Sequence, residues 1–93
     1  MANNLQLSIT IKNSEKTLFE GAAFAVSSVS NVGKFDVLPT HANFIALIKE
    51  SVTIHWENQK PQIIPIEAGV IKVKENNVKI ILGMETSAQS TSS

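Results

Sequence analysis

Hydrophobic and polar residues alternate along most of this chain with a period of two. Leu5, Leu7, Ile9 and Ile11 alternate with Gln6, Ser8 and Thr10, the pattern of a strand with one buried face. Residues 12–16 are polar and predict a turn. Leu18 and Phe19 begin a short return strand that Gly21 ends. Phe24, Val26 and Ser28 share one face of a third strand, with Ala23, Ala25 and Ser27 on the other. After a turn at residues 30–33, Phe35 and Val37 share a face. Pro39 stops that strand because proline cannot donate to a ladder.

Residues 44–48 resume as a strand, and residues 49–51 turn it. Val52, Ile54 and Trp56 then alternate with Thr53, His55 and Glu57, and residues 58–61 predict a hairpin turn. Pro65 places residues 63–66 at a sheet edge or a bulge, and Gly69 marks a bulge or a close backbone approach. Residues 70–74 read as a strand. Asn76-Asn77 suits a tight turn, because asparagine tolerates the left-handed conformation. Val78, Ile80 and Leu82 make the last alternating face.

No stretch carries a helical period. Roughly eight or nine short strands with no helices between them argue for an antiparallel sandwich or barrel. Its expected core includes Leu7, Ile9, Phe24, Val26, Phe35, Val37, Ile54, Trp56, Val78 and Ile80. The expected domain spans residues 1–84, and the Ser/Thr-rich residues 85–93 predict a disordered tail.

Composition changes the picture mainly by exclusion. The 93 residues allow one domain with an ordinary 43% hydrophobic content. Eight positive residues balance eight negative ones, which argues against nucleic-acid binding through phosphate neutralisation. All eight positive residues are lysines, so bidentate guanidinium contacts are unavailable to this chain. There is no cysteine, hence no disulfide and no thiolate metal site. The longest apolar run, residues 44–48, falls far short of the ~20 residues of a membrane helix. A soluble, intracellular protein is expected.

Candidate chemistry is sparse. Gly33-Lys34 lacks the flanking glycine and the Ser or Thr of a phosphate loop, since Ser28 and Phe35 occupy those positions. His41 and His55 are too far apart in sequence for a histidine-based metal motif, and Asp36 with His41 would supply only two ligands. No Gly-x-Ser-x-Gly elbow is present, and nothing in the spacing pairs a base with a nucleophile. Trp56 could stack on a carbohydrate, but its phase with Val52 and Ile54 points to the core. Neither a catalytic residue nor a cofactor is expected.

Gly33, Val37, Leu38, Pro39, His41 and Ala42 resemble the Gly-x-x-Gly-Ile-Leu-Pro-x-His-Ala-Pro segment of the epsilon subunit of F-type ATP synthases, called delta in mitochondria. Asp36 stands where that family usually has glycine, and Asn43 where it has proline. The likeness extends along residues 5–83. Ala68-Gly69-Val70-Ile71-Lys72-Val73 is similar to Ser-Gly-Gly-Phe-Val-Glu-Val, and residues 76–82 are similar to Asn-x-Val-Thr-Ile-Leu-Ala. Glu50-Ser51 replaces a Pro-Gly turn, and Lys34 occupies a position that is often acidic.

The resemblance implies a two-sheet antiparallel β-sandwich of about ten short strands. It implies a rotor part without chemistry of its own, docked on the gamma subunit and on the membrane rotor ring, coupling proton-driven rotation to ATP synthesis at the cytoplasmic face of the inner membrane. Lys34, Asp36, Thr40, His41 and Asn43 would lie on the protein-interface rim, with Phe44 anchoring that loop to the core. The family's carboxy-terminal helical hairpin has no counterpart after Gly83, so its inhibitory and nucleotide-sensing roles are not expected here. A stand-alone β-sandwich binding module is the alternative.

Overall fold

Alternation and turn chemistry shape every element of the computed structural model, which describes residues 6–83. In chain order the strands are β1 (Leu7–Lys12), β2 (Thr17–Ala23), β3 (Ala25–Ser30), β4 (Gly33–Val37), β5 (Phe44–His55), β6 (Gln62–Lys74) and β7 (Asn77–Leu82). The β1–β2 turn is set by Asn13, whose side-chain oxygen accepts from the backbone N–H groups of Glu15 and Lys16 at 2.8 and 2.9 Å. β4 ends at Val37, and Pro39 stands two residues beyond it, in the turn that follows. The expected tail, residues 85–93, lies outside the described residues.

The strands hydrogen-bond in the order β2-β1-β7-β6-β5-β3-β4. All neighbours are antiparallel except β1 and β7, which run parallel with Ser8 opposite Asn77 and Lys12 opposite Ile81. Seven strands stand among the described residues where alternation predicts roughly eight or nine, because β5 and β6 are each unbroken. Residues 49–51 were expected to turn the chain, and Pro65 to mark an edge or a bulge. Both positions are irregularities within one long ladder. Lys49 pairs with Ala68 and Ser51 with Pro65, so Ile66 and Glu67 together oppose Glu50 alone. The extra residue switches the inward phase of β6, from Ile64 and Ile66 before it to Gly69, Ile71 and Val73 after it. On its other side β6 pairs with β7 only from Gly69 onward. Pro65 therefore sits in the half of β6 with an open flank, where a missing N–H is tolerated.

Passing through this irregularity, β5 and β6 belong to two layers. Their Phe44–Ile48 and Gly69–Lys74 halves join β7, β1 and β2, while their other halves join β3 and β4. Contacts between residues far apart in the strand order show that the layers fold over one another. Phe19 of β2 lies 6.1 Å from Trp56, and Phe35 of β4 meets Phe44 edge-on at 5.9 Å. The Trp56 indole also donates to the carbonyl of Ala22 at 2.9 Å. One core fills the space between, with Leu7, Ile9, Ile11, Val26, Val37, Val52, Ile54, Ile71 and Ile80 fully buried.

Seven of the ten expected core residues are buried: Leu7, Ile9, Val26, Val37, Ile54, Val78 and Ile80. Phe35 and Trp56 are half-buried and pack against the core from its margins. Phe24 is not a core residue, being 41% exposed. The chain bends at Phe24 between β2 and β3, so Ala23 and Ala25 both turn inward and the larger ring is displaced. The last hairpin turn is centred on Glu75 and Asn76, with φ of 50° and 67°, rather than on Asn76-Asn77. Two left-handed residues in succession make the mirror-image turn that matches strand twist.

Candidate protein-interface surface

The five rim residues are all exposed, and the fold separates them into two groups. Lys34 and Asp36 lie two apart on the outer face of β4, an edge strand, opposite Val29 and Ser27 of β3. Thr40, His41 and Asn43 lie in the β4–β5 connection at the other end of β4.

That connection is built rather than slack. Leu38, Pro39, Thr40 and His41 form a β-turn closed by the His41 N–H and the Leu38 carbonyl at 3.1 Å. Proline occupies its second position, and Thr40 its third with φ of 68°. This is a type II turn, in which the third position favours glycine. The Thr40 hydroxyl donates to the Pro39 carbonyl. Two asparagines then tie the loop to the β6–β7 turn. Asn76 accepts from the Thr40 N–H at 2.6 Å, and Asn43 accepts from the Glu75 N–H at 3.0 Å. The His41 ring rests 5.1 Å from that of Phe44, which itself packs on the core. Phe44 thus anchors the loop as expected.

Thr40 carries a measurable strain. A β-branched residue in the left-handed region costs about 1–2 kcal/mol, part of which glycine returns as unfolded-state entropy. Thr40→Gly is expected to stabilise the fold by about 0.5–1 kcal/mol, and Thr40→Val to give no gain. Urea unfolding midpoints of the two variants check this.

From the sequence, Asp36 and His41 could meet in a loop as two ligands. Asp36 is engaged elsewhere. The Ser27 hydroxyl donates to Asp36 Oδ1 at 2.5 Å, and His55 Nε2 lies 2.9 Å from the same Ser27 oxygen. A hydroxyl has one hydrogen, so His55 must be the donor to Ser27. Serine, histidine and aspartate therefore meet, but with serine in the middle. A hydrolytic triad needs histidine in the middle, oriented by the carboxylate and accepting from the serine. The chain has the residue types in an order that cannot activate the hydroxyl. Among the described residues no group of three or more His, Asp or Glu side chains is placed to hold a metal ion.

The sequence reading passed over a second surface. Ile45 and Leu47 of β5 are 66% and 67% exposed. Across the ladder Leu47 faces Val70, and Val70 faces Ile81. Lys72 lies opposite Ile45, Lys79 is the next residue along that row, and Lys12 follows Ile81. The outer face of this layer is an apolar strip rimmed by lysines. Alternation marks Ile45 and Leu47 as facing away from Phe44 and Ile48, which is the signal that could have found them.

Residues 6–84 match the family described as ATP synthase, Delta/Epsilon chain, beta-sandwich domain. The chain is 30% identical over 76 residues to the ATP synthase epsilon chain of Leptospira borgpetersenii serovar Hardjo-bovis, covering 82% of this chain and 60% of that protein. It is 31% identical over 77 residues to the ATP synthase epsilon chain of a Nitratiruptor species, with 82% and 60% covered. The chain thus spans about three-fifths of the length of these relatives. A chain in the Euglena gracilis mitochondrial ATP synthase (OSCP/F1/c-ring) shares the fold with a TM-score of 0.78 at 18% identity, over 88% of this chain and 53% of that one. A chain in the central stalk and c-ring of the Tetrahymena thermophila enzyme does so with a TM-score of 0.68 at 12% identity, over 92% and 73%. The alternating strands, the Leu-Pro-x-His loop and the two-layer sheet are those of a β-sandwich domain, and this chain belongs to the delta/epsilon family of ATP synthase subunits.

Proposed function

We propose that this chain is a non-catalytic central-stalk subunit of an F-type ATP synthase, joining the gamma subunit to the membrane rotor ring so that rotation passes between them. The family match over residues 6–84 carries the reading. The surface supports it. A lysine-rimmed apolar strip on one layer suits a firmly held partner, for which gamma is the candidate. A braced polar loop bearing Thr40, His41 and Asn43 suits contact at low ordering cost. Lys34, beside the tip of the β3–β4 hairpin, would face the ring, and Asp36, near the open end of that hairpin, would lie on the same rim. In this role the protein needs no cofactor, sits at the membrane periphery through its complex, and leaves ATP chemistry to other subunits.

Co-purification with gamma and the ring tests the reading. The wild-type chain is expected to join them. Lys34→Glu is expected to slow association and to make the remaining binding less sensitive to salt, because a rim charge acts mainly on encounter rate. His41→Ala should weaken assembly while leaving the fold intact. Failure of the wild-type chain to join would favour a stand-alone binding module. Unchanged assembly of both variants would move the interface away from this rim.

A further inference from the structure

The Asp36–Ser27–His55 chain forms one wall of a cleft of about 460 Å³ on the outer face of β3, β4 and β5. Phe24, Leu38 and Trp56 supply its apolar lining, and Asp36 and Glu57 its charge. No lysine lines it. The exposed Phe24 ring has its place here, at the cleft rather than in the core. The Trp56 indole is held by its bond to Ala22, and Asp36 is oriented by the Ser27 hydroxyl. Among the described residues neither Asp36 nor Glu57 makes an ion pair. The cleft therefore combines aromatic faces with two carboxylates that make no ion pair among the described residues; Lys34, two residues from Asp36 on the same face of β4, lies outside its lining.

We infer that this cleft receives an arginine side chain from a neighbouring stalk subunit. This partner chemistry rests on the rotor reading. The charge complementarity is specific to a cation. The apolar lining favours a weakly hydrated guanidinium, which stacks on an indole and forks onto a carboxylate, over a strongly hydrated ammonium. The occupant cannot come from this chain, which contains no arginine. His55 donates through Nε2 to Ser27, which leaves Asp36 Oδ2 as the acceptor for the incoming group.

The test has two arms. In the first, N-acetyl-arginine-methylamide is titrated into the labelled protein, following the indole N–H of its single tryptophan by nuclear magnetic resonance. A saturable shift is expected. The neutral citrulline counterpart should bind at least about fivefold more weakly, and the double variant Asp36→Asn/Glu57→Gln should lose the response. The asparagine still accepts from Ser27, so the fold is preserved. No saturable shift, an equal response to citrulline, or a response surviving in the double variant would overturn the inference. In the second arm, the double variant should join gamma and the ring about tenfold more weakly than wild type, with a flatter salt dependence. Equal assembly of the two would overturn the cleft while the rotor reading stands. Failure of the wild-type chain to assemble would overturn the rotor reading, and the arginine titration alone would then decide the cleft.

Discussion

Gly69→Ala is expected to destabilise the protein by about 3 kcal/mol, lowering its melting temperature by roughly 12–20 °C. A β-carbon at this position would lie 2.7 Å from the backbone oxygen of Ile81 and 2.8 Å from Leu82 Cδ2. The leucine methyl can rotate away, but the carbonyl belongs to the β6–β7 ladder and cannot. Gly69 is opposite Leu82 at the point where β6 gains its second partner, so widening the gap there opens the ladder that joins the layers. A domain of this size has a total stability of roughly 5–10 kcal/mol, of which this loss is a large part. The contrast is Gly21→Ala, whose β-carbon would meet only the side chain of Phe19 at 3.4 Å. It should change stability by less than about 0.5 kcal/mol. Paired thermal and urea unfolding curves check both. Equal effects of the two substitutions would show that the close approach at Gly69 is relieved without cost.

Replacing Ile45 and Leu47 together by aspartate is expected to abolish assembly with gamma and the ring while leaving the isolated fold intact. Both side chains point into solvent, so the free protein loses no core contact, and its stability should change by less than about 1 kcal/mol. In a complex the same positions would bury two carboxylates against apolar surface. Leaving charges desolvated at the centre of an interface costs several kcal/mol, so affinity should fall roughly 100-fold or more. The lysines beside the strip sharpen the test, because they could pair with the new carboxylates only by staying in water. Circular dichroism of the variant and its recovery with tagged gamma give the two readouts. Undiminished recovery would mean that the strip is not the docking face.

What was legible in the sequence follows from what determines it locally. Alternation is a property of neighbours in sequence, so Leu7, Ile9, Val26, Ile54, Val78 and Ile80 were placed inside from their phase alone. Pro39 stands just past the end of β4 in a turn, where its fixed φ and missing N–H favour such a break. Strand continuity is not local. Glu50-Ser51 and Pro65 look like punctuation in either chain segment, yet each lies opposite the other in the ladder, and together they make a bulge instead of two turns. Phe24 was misplaced because the bend between β2 and β3 resets the phase that alternation assumes. At the candidate surface, exposure of Lys34, Asp36, Thr40, His41 and Asn43 was legible from their polarity in turns and on an edge strand. The partnerships were not. Ser27 meets Asp36 through the register of the β3–β4 hairpin, and His55 and Asn76 reach Ser27 and Thr40 only through elements distant in sequence.

The parallel pairing of β1 with β7 has a consequence for how the chain acquires its fold. Among the described strands β1 has only β2 as an early partner, and its other edge stays open until β7 has been made. A two-stranded hairpin is at best marginally stable alone. The β1–β2 hairpin must therefore wait, with Leu7, Ile9 and Ile11 uncovered, while the β3–β6 portion of the chain is completed. Closing so long a loop to gain the central ladder places this protein among slow folders, on a scale of roughly milliseconds to seconds. Until then its exposed edges make it dependent on low concentration or a holding partner.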